Sequence, residues 1–377
     1  MKGKILILSL YPAPYRMSLF SKFREEFDID IFFETSQGDE RDSKWFYNNG
    51  AYLLDNREGK EEYKKVCHNL NKYDLVLFYE YSTKESFKLI CLCKFLKIPY
   101  AINCDGVILT SKDSIVKKWV KTFLIKTAHA HLASGEHAKK YFLRYGATEE
   151  TIHIHTFSSI NEENMLKEPL TKQGKCEIRS QLNLPENCKL AIAVGRFISL
   201  KHYNELIEAW TKMPKDYYLL LVGGGSEQKR YEKTVKDLEL SNIIIEPFHP
   251  MRELFEYYKA SDVFVHPTSY DVWGLVVNEA MACGLPVVVS DKCVAGLELV
   301  EQGINGFVVS MGDETMIVDR TRYIFENEDV SKKMSKKCLK TIRPYTIDNM
   351  AKTHVEIFRE LINNYGKNNS ECRRFRS

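Results

Sequence analysis

No stretch of this chain approaches the roughly 20 consecutive apolar residues that a membrane-spanning helix needs. The opening residues, MKGKILILSL, resemble a short leader, but no small-residue cleavage site follows and the apolar run is only strand length. An excess of one charge is also missing. Lys and Arg number 54 against 51 Asp and Glu, and the resulting +3 is too small to argue for a nucleic-acid partner. Paired cysteines are missing too. Ten are scattered along the chain, several inside apolar runs as reduced buried thiols are. Only Cys91 and Cys93 are close, and C-x-C without a second pair or a nearby histidine is weak for zinc. The expectation is a soluble cytoplasmic protein, at most associated with the inner face of a membrane.

What is present is strand-helix alternation. With 377 residues, two domains are expected rather than one core. KILILSL, FDIDIFFE, YDLVLFYE and PYAINCD alternate with helical stretches in the first half, the signature of a doubly wound α/β sheet. No G-x-G-x-x-G follows the first strand, which disfavours an ordinary dinucleotide-binding domain. Asp28 and Asp30 form a D-x-D that reads as a strand edge rather than a metal site. His129, His131 and His137 cluster in sequence, but without an acid partner they read as structural. Alternation resumes in KLAIAVG, YYLLLVG, NIIIEP and DVFVHP. The domains are therefore placed at 1–165 and 186–345, with 166–185 as a linker and a last helix at about 348–363 returning to the first domain.

Residues 112–127 project as an amphipathic helix, with Val116, Trp119, Val120, Phe123 and Leu124 on one face and Lys117, Lys118 and Lys121 on the other. That pattern suits a surface helix packed on the sheet. It also suits a basic helix near an anionic membrane surface, and both readings are carried forward.

Ligands of open α/β sheets bind at the carboxyl ends of the strands, and the second half collects candidates there. Gly195, Arg196 and Lys201 follow KLAIAV, giving close backbone approach and two cations suited to a diphosphate. Gly223 and Gly224 follow YYLLLV, and Phe248 and His249 follow NIIIEP, where they offer main-chain contacts to a base. After DVFVHP comes a loop with Asp271, a helix opening near Gly274 and Leu275, and Glu279 about one and a half turns inside it. A helix start offers free N–H groups and a positive dipole end to a phosphate. The plainer reading of the two acids is an N-cap and a solvated helix glutamate. Taken together, the loops on successive strands read as a nucleotide site.

The chain resembles the retaining glycosyltransferase family 4, the glycosyl transferases group 1. The resemblance rests on G-R-F-x-x-x-K from Gly195 to Lys201, the glycine turn at Gly223, S-Y-D-V-W-G-L-V-V-N-E-A-M-A-C-G-L-P-V-V, and the run from Gly296 to Val309. It implies a GT-B fold, two Rossmann-like domains facing a cleft, the first for acceptor and the second for a nucleotide-sugar donor. It further implies metal-independent transfer with no cofactor, in which Arg196 and Lys201 grip the donor diphosphate. Gly274 and Leu275 would give backbone contacts and Glu279 would hold the ribose. The family's first acid is Glu where this chain has Asp271, kept as the donor-sugar residue, and Trp273, where the family has Phe, would reshape the same pocket. Where many members carry a histidine after the fourth strand this chain has Asn103, Cys104 and Asp105, so Asp105 is the substitute candidate. Arg16, in the Pro12–Arg16 loop, is the candidate for an acceptor phosphate, as in a lipid-linked saccharide. UDP-sugars are the default donors and surface polysaccharide the default pathway. Two rivals remain: a sugar-nucleotide epimerase on the same fold, and a membrane-docked binding protein that has lost turnover.

Overall fold

The computed structural model describes residues 2–37, 50–109 and 113–374, with side chains as far as residue 365. Its first strand, β1 (Lys4–Ser9), is the run KILILS, and Ile5 to Leu8 are fully buried. A strand covered on both faces has no solvent side to fill with polar residues, which is why the run is continuous rather than alternating.

The chain divides into two compact units, one running to Phe157 and taken up again from Ile347, the other from Ser158 to Thr346. In the first unit β1 is followed by α1 (Pro14–Glu26), β2 (Asp28–Phe33), β3 (Tyr52–Leu53) and α2 (Arg57–His68). Next come β4 (Leu75–Phe78), α3 (Lys84–Leu96), β5 (Tyr100–Cys104) and α4 (Ile115–Ile125). The sheet ends with β6 (Ala130–Ala133), α5 (Glu136–Arg144) and β7 (Ile152–Ile154). All pairings are parallel, in the order β3-β2-β1-β4-β5-β6-β7. The final helix, α14 (Ile347–Arg374), belongs to this unit and lies on α1, where Phe358 packs 5.2 Å from Phe23 and 6.1 Å from Phe27.

The second unit opens with α6 (Lys172–Gln181), β8 (Lys189–Arg196), α7 (Tyr203–Trp210) and β9 (Tyr217–Gly224). It continues with α8 (Gln228–Asp237), β10 (Ile243–Glu246), α9 (Met251–Ala260), β11 (Val263–His266) and α10 (Leu275–Ala282). Last are β12 (Val287–Ser290), α11 (Val294–Leu299), β13 (Gly306–Val309), α12 (Glu314–Glu326) and α13 (Glu328–Ile342). Its six strands run parallel in the order β10-β9-β8-β11-β12-β13, so the strand order reverses between β8 and β11.

Three local readings change. Segment 166–185 is packed into the second unit and does not run free as a linker. The Leu166 amide donates to Ala282 at 2.9 Å, and the buried Arg179 guanidinium donates to Ala260 at 2.8 Å and pairs with Asp262 at 2.8 Å. Its anchors are polar, so its composition imitated a linker. Second, only the C-terminal half of α4, from Val120 on, packs on the sheet. Leu124 and Ile125 are buried, whereas Ile115, Val116 and Trp119 are 89, 73 and 67% exposed. Lys112, at the start of the expected helix, lies outside the described residues. Third, Trp273 is a core side chain at 2% exposure, its indole N–H donating to Asn278 at 3.0 Å.

His131 is fully buried with Nδ1 3.0 Å from the Thr151 hydroxyl and Nε2 2.9 Å from the Ile125 carbonyl, a structural histidine. Asp28 and Asp30 share Lys4 at 3.3 and 3.2 Å on the strand edge. Among the described residues no group of three His, Cys, Asp or Glu side chains is arranged to hold a metal ion.

Candidate active site

Where the strand order of a sheet reverses, the loops leaving the two strands turn apart and open a crevice at their carboxyl ends. In the second unit that point lies between β8 and β11. Gly195 and Arg196 end β8, and Lys201 closes a short 3-10 turn, Ser199–Lys201, just after it. His266 ends β11, and Asp271 lies in the loop that leads into α10.

These residues meet. The Lys201 ammonium donates to Asp271 Oδ2 at 2.6 Å, and His266 Nε2 is 3.2 Å from the same oxygen. Lys201 is buried to 9% exposure and His266 completely. Burial alone would raise the Asp271 pKa; the Lys201 charge and the His266 hydrogen bond outweigh it and hold the carboxyl well below its usual range. For His266, burial and then the Lys201 charge lower the pKa against the pull of Asp271. The imidazole is therefore neutral, and the tautomer that serves Asp271 carries its proton on Nε2. Its Nδ1 is buried without a hydrogen-bond partner among the described residues. Both contacts converge on Oδ2, so Oδ1 takes no hydrogen bond among the described residues.

The backbone around Asp271 is fixed by the neighbouring loop. Its amide donates to the Lys292 carbonyl at 2.9 Å, and its carbonyl accepts from the Val294 amide at 3.2 Å. Gly274 then turns left-handed (φ +98°) to start α10, and a Cβ there would lie 2.6 Å from Cys293 Sγ. Only glycine allows both the turn and that approach. From Gly274 and Leu275 the first turn of α10 presents backbone N–H groups that the helix cannot satisfy itself.

Glu279 is more deeply placed than a solvated helix glutamate would be. It is 6% exposed, with Oε1 accepting from the Ser159 hydroxyl at 2.8 Å and Oε2 from the Tyr258 hydroxyl at 3.1 Å. Burial raises its pKa, and the two hydroxyls oppose that rise. Ser159 and Tyr258 were missed by sequence reasoning, since nothing local links them to a residue 120 and 21 positions away.

Gly223 and Gly224 pair in register with Gly195 and Arg196. A Cβ on Gly223 would meet the Gly195 carbonyl oxygen at 1.9 Å, so this glycine serves the approach of two strands. Gly224 faces open space. Arg196 is half-buried beside it. Phe248 and His249 follow the edge strand β10, and His249 Nδ1 is 3.1 Å from Glu253 with its ring against Tyr257.

In the first unit, Arg16 and Asp105 turn out to be one ion pair. Asp105 Oδ2 accepts from Arg16 Nη2 at 2.5 Å and from the Tyr15 hydroxyl at 3.2 Å, and Oδ1 accepts from Asn103 at 2.6 Å. Arg16 also donates to Ser9 and to Tyr15 and lies 5.6 Å over the Tyr79 ring.

Glycosyl transferases group 1 is the family whose pattern matches residues 174–341, which holds every second-unit residue just described except Ser159. Over that stretch, somewhat less than half of its length, the chain carries this family's pattern. A D-inositol 3-phosphate glycosyltransferase of Xylanimonas cellulosilytica is 29% identical over 187 residues, 47% of this chain and 44% of that protein. The amylovoran biosynthesis glycosyltransferase AmsD of Erwinia amylovora is 23% identical over 66% of this chain and 67% of its own. For several of these curated relatives the chain spans about half of the relative's length. The Anabaena protein Alr3699/HepE, solved in complex with UDP, superposes with a TM-score of 0.78 over 96% of this chain and 100% of its own at 18% identity. Likeness at that identity speaks for the fold alone, and the fold is GT-B: two parallel-sheet α/β units.

Proposed function

We propose that this group 1 glycosyltransferase moves a sugar, with retention, from a nucleoside-diphosphate sugar to a saccharide or lipid-linked saccharide acceptor. UDP is the default nucleotide, the reaction uses no metal ion, and the setting is surface polysaccharide assembly at the cytoplasmic face of a membrane. One observation carries the reading: a buried lysine, a carboxylate held ionised and the open first turn of α10 converge where the strand order reverses. The names of AmsD, an amylovoran biosynthesis enzyme, and of HepE, solved with UDP, support the pathway and the donor class.

In this mechanism Arg196, Lys201 and the α10 amides receive the charge that develops on the departing diphosphate. Lys201 has three N–H donors and Asp271 uses one, leaving two for phosphate oxygens. Asp271 Oδ1 takes a donor-sugar hydroxyl, while Oδ2 keeps Lys201 in place. Glu279 accepts from the ribose with the lone pairs that Ser159 and Tyr258 leave, and Gly195, Gly224, Phe248 and His249 line the nucleotide. The acceptor oxygen bonds to the anomeric carbon on the face that the diphosphate leaves. The acceptor proton passes to the departing phosphate oxygen. Asp105 and Arg16 act as a pair that shapes the acceptor side.

Turnover of a UDP-sugar panel with wild type and Lys201→Ala tests this directly, with product anomers read by NMR. Retained configuration, an EDTA-insensitive rate and loss of turnover in the variant are expected. Unchanged turnover in Lys201→Ala, or release of an epimerised free sugar without an acceptor, would overturn it.

A further inference from the structure

The first unit carries a surface whose chemistry the transfer reaction does not use. Along α4, Ile115, Trp119 and Phe123 stand at i, i+4 and i+8, which makes one stripe of the helix. Its first two members are 89 and 67% exposed. Trp119 stacks on Phe123 at 5.9 Å, and Phe123 meets Phe87 of α3 at 6.3 Å. Lys94 of α3 lies 3.4 Å over the Phe123 ring and donates to its carbonyl, tying the two helices together at this point. Next to Lys94, at the end of α3, Phe95 is 83% exposed. A soluble surface scatters such side chains singly; here aromatic and branched residues from two helices are gathered in one place.

Charge decides what covers them. Residues 84–97 and 113–126 hold eight lysines against two acids, Glu85 and Asp113. Both acids are already engaged, Glu85 with Lys88 at 2.7 Å and Asp113 with Lys121 at 3.0 Å. Lys117 and Lys118 are exposed beside the apolar stripe. An apolar stripe with a tryptophan, flanked by cations with little opposing charge, is complementary to a layer that is anionic outside and apolar just beneath. A second copy of this chain would bring the same lysines against themselves.

We propose that the α3–α4 face docks on an anionic lipid bilayer, with Ile115, Trp119 and Phe95 entering the acyl boundary and Lys117 and Lys118 meeting lipid phosphates. The docking belongs to the first unit and does not depend on the chemistry of the second. It would bring the enzyme to acceptors that are themselves held in the membrane.

Flotation of the full chain with vesicles of equal parts phosphatidylglycerol and phosphatidylcholine, against phosphatidylcholine alone, tests it. Binding to the anionic vesicles only, a blue shift of tryptophan emission and release at high salt are expected. Lys117→Glu with Lys118→Glu should weaken binding by about tenfold or more. Ile115→Ser with Trp119→Ser should weaken it comparably while leaving thermal unfolding and UDP binding unchanged. Wild-type chain left unbound under the anionic vesicles at low salt, or equal binding by these variants, would overturn the proposal. So would a dimer that Ile115→Ser with Trp119→Ser dissolves. A chain that floats with vesicles but binds no nucleoside diphosphate would overturn the proposed transfer reaction and leave the docking intact.

Discussion

Both sheets hold an acid-base pair at their carboxyl ends, and the two pairs are built differently. In the second unit Lys201 and Asp271 leave adjacent strands, β8 and β11, so a lysine and a short carboxylate reach each other. In the first unit Arg16 follows β1 and Asp105 follows β5, with β4 between them. The longer, planar guanidinium spans that strand by lying over Tyr79, the residue after β4. Asp105 has both oxygens taken, by Arg16, Tyr15 and Asn103, whereas Asp271 Oδ1 takes no hydrogen bond among the described residues. A carboxylate saturated by its own protein sets a shape. One held ionised with an oxygen to spare can take a ligand.

The largest effect that would break this contrast is at Lys201. Lys201→Ala should cost about 10²–10³ in turnover, since a buried cation aimed at developing charge is lost. Asp271 would also lose its main counter-charge and titrate at higher pH, which carboxyl NMR can follow. Arg16→Met should act on stability instead, by about 3 kcal/mol in denaturant unfolding, because Asp105 is left part-buried without its cation. Adding Asp105→Leu should recover much of that loss, and the UDP thermal shift should stay unchanged in both. If Arg16→Met instead removes UDP binding with stability intact, the two pairs are alike in role.

Acid sharpens the contrast further. His354 of α14 is fully buried, its ring 4.4 Å from that of His155, and burial brings its pKa down to about 4 from 6.5. Between those values the unfolded chain binds a proton that the folded chain refuses. The first unit should therefore lose stability as pH falls from 6.5 to about 4, by about 3 kcal/mol from this group alone. The Asp271 pair behaves otherwise: its contribution is present above the ordinary aspartate pKa and is lost only in stronger acid. Melting temperature against pH, with His354→Leu flattening the slope over that window, checks the sign. The smallest effect is at His266. His266→Gln keeps a donor toward Asp271 and should change turnover by less than about threefold, against about tenfold for His266→Phe.

How far these features were legible in the sequence depends on the range of the interaction. Runs such as KILILSL and YYLLLVG revealed their strands because burial on both faces leaves a local mark. The two-residue β3 leaves none. The glycines, cations and acids of the second unit were findable because loops at strand ends carry them in order. That Lys201, His266 and Asp271 meet at one oxygen was not, because the contact spans 70 positions and depends on strand order. For α4 the periodicity defined a face but not the direction it points. Trp273 stands in sequence among residues that point to a pocket, and only packing shows that it turns inward.

Calorimetric titration of UDP into wild type and Lys201→Ala puts the role of the second-unit pair to its plainest test. UDP should bind the wild type and lose about tenfold or more in affinity when the Lys201 cation is removed. No binding of UDP, GDP or ADP to the wild type, or equal affinity in the variant, would contradict a diphosphate site at Lys201, Asp271 and the start of α10.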